Sequence, residues 1–81
     1  MLNLMRKTKP DGVKEKDWLL GRRIHKIRKK AGRTQEQLAE LAKVSPTWIA
    51  YIETGRAVPS VDMLRKIARI LNVRTHDLIP D

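Results

Sequence analysis

Two helix starts written eleven residues apart constrain this 81-residue chain more than any other feature of it. Thr34-Gln35-Glu36-Gln37 has the form of a capping box, in which the Thr34 hydroxyl accepts from the amide of Gln37 while the Gln37 side chain reaches back to the amide of Thr34. Ser45-Pro46 then sets a favoured N-cap before the one residue whose missing N–H costs nothing at the first helical position. The spacing predicts a helix over 35–42, a tight turn, and a second helix over 46–54 ended by Gly55. Ala39 and Ala42 leave little side chain where the two must cross, and Val44, Ile49 and Ile52 supply the apolar side that closes over them.

The flanking sequence reads in the same way. Residues 1–17 mix Lys, Pro, Gly and acids without a helical or strand period, which predicts a flexible basic arm ahead of a folded domain over 18–81. A first helix is expected over 18–31, with Leu20, Ile24, Ile27 and Ala31 as its buried stripe and Gly32 as its left-handed cap. After a loop at 56–59, Ser60 caps a helix whose Val61, Leu64, Ile67, Ala68 and Leu71 repeat the helical spacing, and Asn72 closes it. Thr75 is expected to cap a last short helix over 75–79, stopped by Pro80. The fold class is all-α: five helices around one modest core, with no strand candidate and no internal repeat.

Charge narrows the partner. Residues 1–33 hold twelve Lys and Arg against three acids, whereas 34–81 hold six of each, so the whole net charge of +9 sits in the front third. From Leu19 to Arg33 there are seven basic residues and no carboxylate. Such a patch attracts a polyanion, and nucleic acid is the commonest one. The chain has no Cys, no apolar run of signal-peptide or membrane-span length, and two histidines 51 residues apart with no carboxylate cluster at ligand spacing. These features predict a cytoplasmic protein without metal or cofactor, with no membrane partner and no evident small-molecule substrate. Both Ser residues, Ser45 and Ser60, have capping positions and no His nearby in sequence, so nothing points to an enzyme.

The segment Gln35–Gly55 resembles the helix-turn-helix of the lambda-repressor/Cro/XRE family through Gln35, Leu38, Ala39, Val44, Ser45, Ile49, Ile52, Glu53 and Gly55. The likeness extends from about Leu19 to Ile79 and implies a compact, five-helix, lambda-repressor-like DNA-binding domain. One position departs from the pattern. Many family members have Gly where this chain has Lys43, so either Lys43 takes a strained left-handed conformation or the turn differs.

In such a domain the second helix of the motif enters the major groove while the first crosses the backbone. The resemblance places base contacts on Ser45, Pro46, Thr47 and Tyr51, which offer hydroxyls and apolar surface but no Arg, Asn or Gln. Base reading would then rest on hydroxyl contacts, thymine methyls and DNA shape. Phosphate contacts are expected from Gln35 and Thr34 at the start of the 35–42 helix, from Lys43 and Arg56 flanking the next, and from Arg22 and Arg23. The resemblance also pairs Arg28 with Glu53 in a structural salt bridge. Trp48 covers the core edge or lies along the sugar-phosphate backbone, the former being favoured by its apolar neighbours.

The leading expectation is a sequence-specific regulator of transcription, a repressor, binding double-stranded DNA at a palindromic operator as a homodimer, with Val73, Leu78 and Ile79 as candidate dimer surface. The alternative is a protein-interaction module of the same fold, such as an antitoxin or a bridging coactivator.

Overall fold

Both expected caps form and both set the helices they were expected to set. In the computed structural model, which describes residues 8–80, Thr34 Oγ1 accepts from the Gln37 amide at 3.0 Å and Gln37 Oε1 accepts from the Thr34 amide at 2.9 Å. Ser45 Oγ takes the amide of Trp48 and Ser60 Oγ that of Met63, each at 3.1 Å. The helices are α1 (Glu15–Lys30), α2 (Gln35–Ala42), α3 (Pro46–Glu53), α4 (Val61–Ile70) and α5 (Thr75–Leu78), with no strand among the described residues.

Three local expectations change. The first helix begins at Glu15 rather than at residue 18, helped by Glu15 and Asp17 at the positive end of its dipole. Within the expected arm Val13 is buried and its carbonyl accepts from Lys9 Nζ at 2.7 Å, while most of 8–17 is exposed and 1–7 lie outside the described residues. Thr75 does not cap α5. The N-cap is Arg74, whose amide donates to Asp77 Oδ2 at 3.0 Å. The turn between α2 and α3 does take the left-handed form, with Lys43 at φ 61°. A side chain there costs about 1–2 kcal/mol.

One core joins Ile24 of α1, Leu38 and Ala39 of α2, Ile49 and Ile52 of α3, Leu64, Ile67 and Ala68 of α4, and Leu71 and Leu78 beyond it. Ala31 and Val61, expected inside, are exposed, and Leu20 and Ile27 are half-buried. The buried face of α1 is instead Trp18, Gly21, Ile24 and Arg28. Gly21 explains the rotation. A Cβ at that position would overlap the carbonyl oxygen of Ile52 and stand 2.7 Å from that of Glu53, so only glycine lets α1 lie this close to the end of α3. Gly55 has φ 79°, and a Cβ on it would stand 2.6 Å from Val13 Cγ1 and 3.0 Å from the Trp18 amide nitrogen. Of the candidate dimer residues, Leu78 is wholly buried, Val73 is half-buried against the core, and Ile79 stays exposed.

Candidate nucleic-acid interface

α3 has two different sides. Ile49 and Ile52 are each 1 % exposed, and burying each contributes about 1.5–3 kcal/mol toward fixing the helix on α1 and α2. Ser45, Pro46, Thr47 and Tyr51 are all exposed on the opposite side. Eight residues of α-helix span about 12 Å, the width of a B-form major groove. Trp48 is half-buried against the core, as its neighbours favoured.

The far end of α3 is held by charge. Glu53 is 1 % exposed, and its carboxylate accepts from Arg28 Nε at 2.6 Å, Arg28 Nη2 at 3.1 Å, His25 Nδ1 at 2.8 Å and Gln35 Nε2 at 3.0 Å. Arg28 Nη1 donates in turn to the Arg33 carbonyl at 2.7 Å. Burial alone would push the Glu53 carboxyl up, but the hydrogen bonds from Arg28, Gln35 and His25 and the Arg28 charge outweigh it and hold the group below the ordinary carboxylate range. Glu53 is therefore an anion that ties the end of α3 to α1 and to the start of α2. The Arg28–Glu53 ion pair is the one the resemblance implied. His25 and Gln35 were not expected in it. The available signal was spacing: His25 stands three residues before Arg28, on the same helix face.

Arg22 and Arg23, expected at phosphates, are half-buried and each makes one hydrogen bond within the protein. Arg22 Nη2 donates to the Glu53 carbonyl at 2.8 Å, and its guanidinium lies 4.7 Å over the Trp18 ring, a cation at the negative end of the α3 dipole. Arg23 Nη1 donates to the Asp77 carbonyl at 3.1 Å, tying α1 to α5. The other phosphate candidates stand differently. Thr34, Lys43 and Arg56 are exposed, and the Arg56 amide bonds the Tyr51 carbonyl at 2.8 Å, which sets Arg56 at the end of α3. Gln35 is half-buried, its side chain committed to Glu53, while of the first amides of α2 that of Gln37 is capped by Thr34 and those of Gln35 and Glu36 have no intrahelical acceptor. These amides open into a hollow lined by Lys29, Gly32, Arg33 and Thr34. Among the described residues no three His, Cys, Asp or Glu side chains group as metal ligands would, and no helix is long and apolar enough to cross a membrane.

A family model described as "Helix-turn-helix domain" matches residues 19–80. The chain belongs to the lambda-repressor-like helix-turn-helix family. This helix-turn-helix chain is 43% identical over 56 residues to an uncharacterized HTH-type transcriptional regulator of Archaeoglobus fulgidus, covering 69% of this chain and 80% of that one. It is 41% identical over 61 residues to multiprotein-bridging factor 1 of Eremothecium gossypii, covering 75% of this chain but 40% of that protein. Among solved structures it superposes on SinR, the master regulator for biofilm formation, in complex with DNA, with TM-score 0.68 and 35% identity over 73% of this chain and 95% of that one.

Proposed function

We infer that this helix-turn-helix protein is a cytoplasmic, sequence-specific DNA-binding regulator, not an enzyme, and that it represses transcription from a palindromic operator bound as a homodimer. One observation carries the reading: α3 presents Ser45, Pro46, Thr47 and Tyr51 outward while its other side is locked into the core. The SinR relative, solved in complex with DNA, supports the same use of the fold. Phosphates are held by Thr34 and the free amides at the start of α2, with Gln35 kept in place by Glu53, and by Lys43 and Arg56 on either side of α3. A lone domain of this size buries about 600–1,000 Å² on DNA, which favours a pair of subunits on half-sites about 34 Å apart.

Selection from random duplexes at low salt tests the reading. Enrichment of a palindrome is the expected outcome, and no enrichment contradicts it. The likeness to multiprotein-bridging factor 1 favours a second reading, a protein-interaction module, which predicts the same absence of enrichment.

A further inference from the structure

With a net charge of +9, two copies of this chain repel each other over most of their surface. Along α1 the acids are confined to the first turn, at Glu15 and Asp17, and every charge after it is a cation. Only there does the helix present both signs. At that point Lys16 and Asp17 stand on the rim of an apolar groove whose floor is Leu20 and Leu64. Its walls are Leu19, 42 % exposed, and Ile79, 48 % exposed, with Pro80 beside it. The groove is made by α1, α4 and the two residues after α5, and no residue of α2 or α3 enters it. Whatever covers it leaves both helices of the motif outside the contact.

The groove can be covered without stranding a donor. Pro80 has no N–H, and the Ile79 amide already bonds the His76 carbonyl at 3.3 Å. Neither Lys16 nor Asp17 has an ion pair among the described residues. In a two-fold contact a patch meets itself, so that a residue touching a second one on the partner is repaid by the same contact in reverse. A rim holding one cation next to one anion meets that condition, whereas the all-cationic remainder of α1 sets charge against like charge. A duplex suits the rim poorly, because Glu15 and Asp17 repel phosphates.

We propose that this groove is the surface through which two copies of the chain pair, Leu19 and Ile79 of each closing over the groove of the other, with Lys16 of each copy against Asp17 of the other. Of Val73, Leu78 and Ile79, only Ile79 takes part. The proposal rests on the homodimer reading and gives it a surface.

The test is sedimentation equilibrium of the whole chain from about 1 to about 500 μM, a range that spans weak dimers. Leu19→Ser, Lys16→Glu and Asp17→Lys should each weaken self-association by about tenfold or more, since each change acts twice in a symmetric pair. An equimolar mixture of Lys16→Glu with Asp17→Lys should restore it, because an all-acidic rim then meets an all-basic one. A variant that merely folds badly cannot be rescued in this way. Circular dichroism, and affinity for a duplex carrying one half of the selected palindrome, should stay at the wild-type level. Wild type that dimerises while all three variants dimerise equally well overturns the proposal and leaves the homodimer reading standing. So does a mixture that recovers nothing. Wild type that stays monomeric throughout, alone and on the palindrome, overturns the homodimer reading itself and leaves the groove to another partner.

Discussion

The two ends of α3 are built on opposite terms. Its outer side, from the Ser45 cap through Pro46 and Thr47 to Tyr51, shows water no charge at all, whereas its last residue, Glu53, is an almost fully buried anion held by four donors from two other helices. Exposed hydroxyls and apolar edges discriminate between bases by small increments, so they act only if they are held in a fixed register. The buried charge supplies the register. Together with the buried Ile49 and Ile52 it holds the eight-residue helix on its neighbours.

Breaking the held end gives the largest effects. Arg28→Ala leaves Glu53 buried without its main partner and should cost about 3–5 kcal/mol, read from urea or thermal unfolding. Gly21→Ala forces a methyl group against the carbonyls that close α3 and should cost about 1–3 kcal/mol; an unchanged midpoint would mean that α1 and α3 are not in contact there.

The pH dependence follows from the same residue. Because the Glu53 carboxyl is held below its ordinary value, the stabilisation it gives is complete above about pH 4.3, the unfolded value, and is lost as pH falls toward the lower folded value. Wild type should therefore lose stability on acidification below that point more steeply than Glu53→Gln does. The smallest effect sits between the two ends of the motif. Lys43→Gly relieves a left-handed side chain and should raise stability by about 0.5–1 kcal/mol, while removing one cation from beside α3.

Local chemistry made much of this legible in advance. A capping box, a Ser-Pro pair and the glycines after α1 and α3 act within a few residues, so their outcome is readable from the chain. The resemblance supplied the Arg28–Glu53 pair. What stayed hidden depends on residues far apart in sequence. Periodicity on α1 pointed to Leu20, Ile24, Ile27 and Ala31, but the close approach to α3 at Gly21 rotates the helix so that Trp18 and Arg28 are inside and Ala31 is out. Gly21 is a lone glycine within a helical pattern, and such a residue signals close packing without saying against what. Arg22 and Arg23 looked like parts of a uniform basic face, and nothing in sequence reports that carbonyls of Glu53 and Asp77 lie within their reach. Nor does the sequence report that His25 meets Glu53, 28 residues further on.

The most direct test of this division of labour is the sequence preference of Tyr51→Ala, measured across a panel of duplexes alongside its thermal stability. Tyr51 is 46 % exposed, so removing its ring should leave unfolding nearly unchanged, within about 0.5 kcal/mol, while shifting the preferred sequence by about 1–3 kcal/mol at the positions it reads. An equal loss of affinity on every duplex, with the order of preference intact, would contradict base reading by the outer face of α3.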